Sequence, residues 1–397
     1  MTGRIVVVPG PGLDGREYAE WGRQAGLEVE LRRGDPLGVL QALAGGVAVA
    51  DGAAGSAPGA ARSTPGAPSD LVGVIIAPGA AGLDDPALAG AVERLAVPVV
   101  AVEADNVRKV GAEPGSTRLA AAGARVLYGR GADTGRHAVL FLARRGRAEG
   151  PDTLAYGPDP GQEGDLWVPA GPGPHPVAVL FHGGFWYHAW ERDLMDGLAV
   201  DLARRGIAAW NVEYRRVGAG GGWPATGDDA GRATEHLAAL APVYGLDLSR
   251  VTVLGHSAGA QLALWVAARG RRASVHPALA VGLATIGDLA AARAGAIGGG
   301  SVTRLITADG VVDPEVALAD ASPVARLPIG VPQLLAHAVD DGVVPVSQTT
   351  RYADAARAAG DDVTVLELEA GGHFDLIDPG TPAWAAVAAA IGETLRR

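Results

Sequence analysis

The stretch VTVLGHSAG, residues 251–259, decides the fold, because it sets a Gly-x-Ser-x-Gly pattern between a strand signal and a helix signal. The β-branched apolar run before it is typical of a buried strand, and AQLALWVAA (260–268) continues as an amphipathic helix. A serine on a tight strand-to-helix turn needs small neighbours, here Gly255 and Gly259, and the turn exposes its hydroxyl. The stretch therefore predicts a nucleophilic Ser257.

A serine hydroxyl is a weak nucleophile and needs a base that is itself oriented by an acid. On strand–turn–helix sites of this kind, the chain order is serine, then aspartate or glutamate, then histidine. Asp340 and Asp341 follow the apolar run QLLAHAV, and His373 follows the apolar run VTVLELE. Both therefore fall at carboxyl ends of predicted strands, where ligands bind in open α/β sheets. The order predicts His373 as base and leaves Asp340 and Asp341 as candidates for the acid.

A third element, VLFHGGFWYHAW (179–190), brings a histidine and two glycines directly after a strand. Unhindered backbone at this place can present N–H groups to a developing oxyanion. We expect the donors to be the N–H groups of Gly184, Phe185 and Ala258, the last at the start of the helix after Ser257. His182 is expected to hold this loop by hydrogen bonds and not to take part in the chemistry.

Aromatic residues are dense around the glycine loop, and some of them are candidates for substrate contact. The candidates are Trp186 and Tyr187, together with Trp223 in a GGGWP segment. Aromatic side chains are large hydrophobes that often fill a core, so packing remains the alternative for each of them.

Strand and helix signals alternate along the whole chain, which predicts an α/β protein with parallel sheets covered on both faces. Charge, glycine and proline concentrate in RRGRAEGPDTLAYGPDP (144–160), and a new series of strands starts after it. We therefore predict two domains, 1–148 and 149–397. The second contains predicted strands at Val177–Phe181, Ala208–Val212, Val251–Leu254, Ala278–Gly282, Gln333–Ala338 and Val363–Glu369.

In the first domain, strands are predicted at Arg4–Val8, Leu27–Leu31, Val72–Ile76 and Val97–Val102. A fifth is predicted at Ala138–Leu142, after a weaker candidate at Arg125–Leu127. Helices are expected between the strands, the last at Thr117–Ala122. The Gly/Ala/Pro/Ser tract at 45–69 cannot bury much side-chain surface and is predicted to be a disordered loop.

Composition excludes several classes of protein. The 397 residues carry a formal net charge of −11, which does not favour nucleic-acid binding, and the absence of cysteine excludes disulfides, thiolate catalysis and cysteine-ligated zinc. No secretory signal or run long enough to span a bilayer is recognised, so a cytoplasmic protein without membrane contact is expected. No metal or cofactor motif is found, and a small-molecule substrate is expected.

Residues from about 155 to the end resemble esterase- and lipase-type α/β hydrolases, especially the kynurenine formamidase (arylformamidase) branch. The resemblance rests on YGPDPGQEGDLWVP, HGGFW, NVEYRRVGAGGGWP, GHSAG, DDGVVPVSQ and GGHFDLID, in that order. It implies an α/β-hydrolase fold and hydrolysis of a carboxylic ester or an aryl formamide such as N-formylkynurenine. It also favours Asp341 over Asp340 as the acid, because the spacing of Asp341 to Val344 and Pro345 matches related hydrolases.

The first domain resembles type II 3-dehydroquinate dehydratase in IVVVPGPGLDGRE, VIIAPGAAG and PVVAVEADNVRK. The resemblance implies a flavodoxin-like sheet and homo-oligomer assembly through this domain. The chemistry departs from the family, since Ala77 stands where the family has asparagine and Glu103 where it has histidine. We expect a catalytically degenerate domain that drives assembly or binds a small ligand near Gly10–Gly12, Ala77–Ala80 and Glu103.

Two alternatives remain at this point. In one, the protein is bifunctional and Glu103 performs acid–base chemistry of a lyase or dehydratase type. In the other, the chain is a ligand-binding pseudoenzyme that keeps only the shape of a hydrolase. The missing asparagine and histidine weigh against the first alternative, and the intact order of Ser257, Asp341 and His373 weighs against the second.

Overall fold

The protein divides into two units, Met1–Ala148 and Glu149–Arg397. Its structure is a computed structural model. The residues that it describes are 4–8, 15–24, 27–32, 35–44, 71–77, 85–95, 99–103, 125–128, 138–139, 142, 150–269, 273–308, 310 and 312–395.

The first unit contains a five-stranded parallel sheet of order β2-β1-β3-β4-β5. Its strands are β1 (Arg4–Val8), β2 (Glu28–Leu31), β3 (Leu71–Ile76), β4 (Val99–Glu103) and β5 (Arg125–Tyr128). Its helices are α1 (Gly15–Gln24), α2 (Pro36–Ala44) and α3 (Pro86–Glu93). This strand order is that of flavodoxin-like folds, so the predicted sheet is confirmed.

The two faces of this sheet carry separate apolar clusters. Val6 and Val8 of β1 pack in one cluster and Ile5 and Val7 in the other, because successive side chains of a strand point to opposite faces. This explains why β1, β3 and β4 read as nearly unbroken apolar runs, as parallel strands covered on both faces do.

The predicted fifth strand at Ala138–Leu142 is wrong, and the weaker candidate at Arg125–Leu127 is the strand. Ala138, Val139 and Leu142 are helical and all buried in one cluster. Their spacing of i, i+1 and i+4 puts them on one face of a helix, whereas a strand would point neighbouring side chains to opposite faces. The short apolar run alone could not distinguish the two.

Several predictions for the first unit fall on residues outside those described. These are the helix at Thr117–Ala122, the loop at 45–69 and the candidate ligand positions at Gly10–Gly12 and 78–80.

The second unit contains an eight-stranded sheet of order β13-β12-β11-β10-β8-β9-β7-β6. Its strands are β6 (Asp152–Ala155), β7 (Glu163–Trp167), β8 (His175–Phe181), β9 (Ala208–Val212), β10 (Leu246–His256), β11 (Leu279–Leu283), β12 (Gln333–Ala338) and β13 (Val363–Leu368). The pairs β6–β7 and β7–β9 are antiparallel, and the other pairs are parallel.

The helices of this unit lie between and after the strands. They are α4 (Asp196–Arg204), α5 (Ala225–Glu235), α6 (Leu237–Tyr244), α7 (Ala258–Ala267), α8 (Leu289–Ala294), α9 (Ser301–Ile306), α10 (Pro314–Ala321), α11 (Ser347–Ala358) and α12 (Pro382–Thr394). The sequence did not predict α8, α9, α10 and α12, nor the antiparallel strands β6 and β7.

Both faces of the second sheet are buried. On β8, Val177, Val179 and Phe181 enter one apolar cluster, and Ala178 and Leu180 enter the other. The central strands are therefore sandwiched between helical layers, and their carboxyl ends are held at one edge of a rigid sheet. No helix among the described residues is long and apolar enough to cross a membrane.

Gly164 of β7 lies against the ring of Trp210, and a Cβ added to it would lie 2.7 Å from a ring carbon. Trp210 is fully buried, so the ring cannot move into solvent. We expect Gly164→Ala to lower the free energy of unfolding by about 1–3 kcal/mol through overpacking, measured by urea denaturation.

Gly342→Ala is the matched control, because a Cβ at Gly342 meets nothing within 4 Å. Its unfolding curve should superimpose on that of the wild type. An unchanged free energy for Gly164→Ala would contradict the packing of β7 against β9.

Candidate active site

Ser257 lies at the turn between β10 and α7, where the sequence predicts the nucleophile. Its φ of 56° and ψ of −118° put a non-glycine residue in a strained backbone region, and its N–H donates to Leu283 O at 2.7 Å. Ser257 is also the N-cap residue of α7. The hydroxyl thus stands at the positive end of a helix, which favours negative charge developing beside it.

The two glycines around Ser257 are required by close backbone packing. A Cβ on Gly255 would lie 1.9 Å from Gly259 O, and a Cβ on Gly259 would lie 2.0 Å from Phe181 O. A side chain at Gly255 would push the start of α7 away from β10, and one at Gly259 would push it away from β8. The glycines predicted from the motif therefore have a steric function that fixes the serine against the strand carrying the neighbouring loop.

His373 and Asp341 form a direct pair on adjacent strand ends. Asp341 follows β12, His373 follows β13, and His373 Nδ1 lies 2.7 Å from Asp341 Oδ2. A carboxylate only accepts, so Nδ1 carries the proton and Nε2 of a neutral ring keeps its lone pair. Asp340 instead accepts from the N–H groups of Gly371 and Gly372, at 3.4 and 2.9 Å. The structure thus pairs His373 with Asp341, whereas the Asp340 carboxylate contacts the backbone of the two glycines that precede His373.

Asp341 is held by further donors that the sequence reasoning missed. His337 Nε2 lies 3.2 Å from Asp341 Oδ2, and Asp341 Oδ1 accepts from the N–H groups of Val343 and Val344. Burial alone raises the pKa of Asp341, but the hydrogen bonds from His337 and His373 outweigh it and hold that pKa well below its usual range. The carboxylate therefore stays ionised while His373 exchanges protons. The sequence feature that could have indicated this support is His337, a polar residue inside the apolar run QLLAHAV.

His256 connects the serine turn to the loop of the base. Its Nε2 lies 2.9 Å from His373 O, and the two rings are 4.5 Å apart. Since a carbonyl only accepts, Nε2 is the donor. Burial lowers the pKa of His256 well below its ordinary value, so the ring remains neutral. Its hydrogen bond to His373 O holds the serine turn to the loop that carries the base.

The glycine loop at 182–186 lies beside Ser257. A Cβ on Gly183 would lie 3.2 Å from the Cβ of Ser257, which puts the two backbones in contact. Within the described residues, the N–H groups of Gly184, Phe185 and Ala258 donate to no protein acceptor. These are the donors that the sequence predicts for an oxyanion.

His182 anchors the first end of this loop, as expected from the sequence. Its Nε2 lies 2.8 Å from Glu213 Oε1, and its ring stacks on Tyr214 at 4.3 Å. Burial raises the pKa of Glu213, but Arg216, His182 and Arg192 outweigh it and hold the pKa well below its usual range. The loop therefore rests on a buried, ionised carboxylate.

Two of the three predicted substrate-contact aromatics belong to the core. Trp186 and Trp223 are 0% and 2% exposed, and both pack in the apolar cluster that lies on one face of the sheet. The indole N–H of Trp186 donates a hydrogen bond to Gln261, and that of Trp223 donates one to Asp320. In this structure neither side chain reaches solvent, so both fill the core, which is the alternative to substrate contact named above. Tyr187 is 36% exposed and stays available.

A different aromatic pair lies beside the base. Trp190 and Phe374 are half-buried and stack with ring centroids 6.1 Å apart, and Phe374 meets the His373 ring edge-on at 5.2 Å. The other side of Trp190 covers Gly184, where a Cβ would lie 2.2 Å from the indole. The pair thus spans from the glycine loop to the base. Phe374 directly follows His373 in the sequence, which was the missed signal.

No group of three or more histidine, aspartate or glutamate side chains that could hold a metal ion occurs in the part of the chain described. The arrangement has the parts of nucleophilic acyl transfer: a serine on a strained turn, a base oriented by a buried carboxylate, and backbone donors beside the serine.

Comparison with known proteins agrees with this fold. Residues 165–355 match the BD-FAE family model, a range that starts in β7 and ends in α11. A search of the curated proteins finds no match.

Three of the similar solved structures are esterases by their titles. A truncated carbohydrate esterase from gut microbiota is 17% identical, with a TM-score of 0.54 and coverage of 63% of this chain and 100% of that one. Esterase B from Lactobacillus Rhamnosis is 20% identical, with a TM-score of 0.56 and coverages of 65% and 90%. Esterase Est2 from the Planctomycetes species Thermogutta terrifontis is 20% identical, with a TM-score of 0.51 and coverages of 63% and 93%. The unit Glu149–Arg397 therefore has an α/β-hydrolase fold, which it shares with these esterases.

Proposed function

We propose that the protein hydrolyses carboxylic esters through an acyl-enzyme on Ser257. The observation that carries the proposal is the His373–Asp341 pair at the same sheet edge as Ser257, with the hydrogen bond at 2.7 Å. The fold shared with esterases supports the choice of acyl transfer, and Esterase B has also been solved inhibited by a tributyrin phosphonate.

The first half of the reaction forms the acyl-enzyme. His373 Nε2 takes the proton of Ser257 Oγ as the oxygen attacks the carbonyl carbon, and the carbonyl electron pair moves onto its oxygen. The N–H groups of Gly184, Phe185 and Ala258 stabilise this oxyanion. The intermediate collapses, the bond to the leaving oxygen breaks, and His373 gives its proton to that oxygen.

The second half repeats these steps with water. His373 takes a proton from water, the hydroxide adds to the acyl carbon, and Ser257 Oγ leaves with the proton returned by His373. The products are a carboxylic acid, an alcohol and the free enzyme. Asp341 remains ionised throughout and stabilises the imidazolium that forms twice in each cycle.

An aryl formamide is a second candidate substrate, and the Trp190–Phe374 pair favours it. The leaving group must lie within reach of His373, because His373 protonates it, and Phe374 packs directly on that ring. A planar aromatic leaving group would stack against this pair, for about 0.5–1.5 kcal/mol beyond the area it buries. An N-formylkynurenine-like formamide and an aryl ester both have such a group.

For the first unit we propose a role in homo-oligomer assembly or small-ligand binding. The proposal is supported by the flavodoxin-like strand order and by the sequence resemblance to type II dehydroquinate dehydratase. Ala77 and Glu103 replace the asparagine and histidine of that family, which argues against a retained dehydratase reaction. We also propose a cytoplasmic location for the chain.

The test of the hydrolase proposal compares wild type and Ser257→Ala on phenyl butyrate and N-formylkynurenine. We expect the wild type to hydrolyse at least one of them, and the variant to lose about 10⁴-fold or more in kcat. A higher kcat/KM for the formamide would select the second candidate. The circular dichroism spectrum should be the same for both proteins. Turnover of neither substrate in a serine-dependent way would contradict the proposal.

The acid is tested by a pair of neighbouring variants, Asp341→Asn and Asp340→Asn. In Asp341→Asn, the amide that replaces the carboxylate cannot hold the His373 tautomer that accepts the serine proton, so kcat should fall about 10³- to 10⁴-fold. Asp340→Asn keeps an oxygen acceptor for the Gly372 N–H and loses only the longer contact with the Gly371 N–H, so kcat should stay within about twofold. The reverse pattern would assign the acid to Asp340.

A further inference from the structure

A buried hydrogen bond joins the glycine loop to the helix that carries the nucleophile. Trp186 Nε1–H donates to Gln261 Oε1 at 3.0 Å, and both side chains are fully buried. Gln261 lies in the first turn of α7, four residues after Ser257. Its amide nitrogen donates in turn to Ala321 O at 2.8 Å. The side chain is therefore held at both ends and cannot rotate without losing a bond.

The loop that this bond closes has an unusual backbone. Gly184, Phe185 and Trp186 have φ values of 109°, 54° and 56°, so three consecutive residues have positive φ. Two of them are aromatic, and a left-handed conformation costs such residues about 1–2 kcal/mol each. Strain of this kind persists only where the surroundings fix it.

The two ends of the loop are fixed by different contacts. His182 at the first end is bonded to Glu213, and its carbonyl accepts from Tyr214 OH at 2.8 Å. At the other end, Trp186 O accepts from Val217 N at 2.8 Å, and the indole is bonded to Gln261. The hydrogen bond to Gln261 connects the loop directly to α7, the helix that follows Ser257. It sets where the loop stands relative to Ser257 and Ala258.

We propose that Gln261 is a positioning residue that, through Trp186, holds the N–H groups of Gly184 and Phe185 at the oxyanion position. The inference rests on the proposed acyl-transfer function and goes beyond it, since neither residue touches the substrate. With the bond in place, the strained loop keeps its two donors on the same side as Ala258 N–H. Without it, the backbone at Phe185 and Trp186 relaxes toward negative φ and its amides turn.

The test removes the hydrogen bond from either side. Trp186→Phe deletes the indole N–H, and Gln261→Met deletes the acceptor together with the donor to Ala321 O. Each variant is assayed on phenyl butyrate and on its thiono analogue, in which sulfur replaces the carbonyl oxygen. Sulfur accepts hydrogen bonds weakly, so oxyanion donors accelerate the oxygen ester far more than the thiono ester.

We expect kcat for the oxygen ester to fall about 10- to 100-fold in both variants, with KM little changed, because a displaced donor acts only in the transition state. The thiono ester should lose much less, so the oxygen-to-thiono ratio of kcat/KM should fall about tenfold or more. This ratio does not depend on the fraction of folded protein, since unfolding lowers both rates equally.

Trp210→Phe is the matched control. Trp210 is also fully buried in the same cluster, and its indole N–H also makes a 3.0 Å hydrogen bond, to Ala233 O. We expect a comparable loss of stability with an unchanged oxygen-to-thiono ratio. The double variant Trp186→Phe/Gln261→Met should be more stable than Gln261→Met, in which the indole N–H is left unpaired in addition to Ala321 O, but it should keep the low ratio.

Two results would overturn the proposal. One is an oxygen-to-thiono ratio that is the same in both single variants as in the wild type, provided that the wild type hydrolyses phenyl butyrate. The other is a double variant that regains the ratio together with stability, which would reduce the bond to a contribution to folding. Absence of serine-dependent hydrolysis in the wild type would instead contradict the proposed function, so the two failures are distinguishable.

Discussion

The contact between the start of α7 and the ends of β8 and β10 is the constraint on which the site depends. Gly255 and Gly259 let these backbones approach to distances that no Cβ could tolerate. Ser257 takes a positive φ as a consequence, and its N–H is fixed to Leu283 O at the end of the neighbouring strand. Because the sheet is buried on both faces, these strand ends cannot shift independently. The positions of the serine, the base and the glycine loop relative to one another therefore depend on this one turn.

Charged groups buried behind the glycine loop give it a rigid support. Glu213 meets His182, Arg192 and Arg216, and Arg192 also pairs with Asp165. Breaking one partner of a buried ion pair typically costs about 3–5 kcal/mol, because it leaves an uncompensated charge. Such a network does not add much stability over apolar packing, but it permits few alternative arrangements. It suits a loop whose N–H groups must not move during the reaction.

Local sequence patterns predicted the parts of the fold that depend on local physics. The strand–turn–helix around Ser257, the parallel strands of the first unit and the sequence order of serine, acid and base follow from apolar runs, glycines and strand ends. The flavodoxin-like character of the first sheet was implied by the resemblance to type II dehydroquinate dehydratase. The helical residues Ala138, Val139 and Leu142 were misjudged because a five-residue apolar run carries no period. The antiparallel strands β6 and β7 were missed because their residues, as in Glu163–Trp167, are mostly polar or small. Among the described strands, β6 pairs only with β7, and β7 is joined to the rest of the sheet through β9, which lies about 45 residues later in the chain.

Side-chain partners were harder to predict because they depend on tertiary contact. Trp186 and Trp223 lie in the region expected to meet substrate, yet their rings point into the core. His337, Gln261 and the Trp190–Phe374 pair each take their meaning from residues that are distant in sequence. The sequence shows a histidine in a strand or a glutamine in a helix, but it does not show that one supports Asp341 and the other holds Trp186.

The central claim is that Ser257 is the nucleophile of this site, and covalent labelling tests it most directly. An alkyl phosphonate with an aryl leaving group would be incubated with the protein, and the adduct located by peptide mass spectrometry. The account predicts one stoichiometric adduct on Ser257, formed at least tenfold more slowly when His373 is replaced by alanine. Labelling of a different serine, or the same labelling rate without His373, would contradict it.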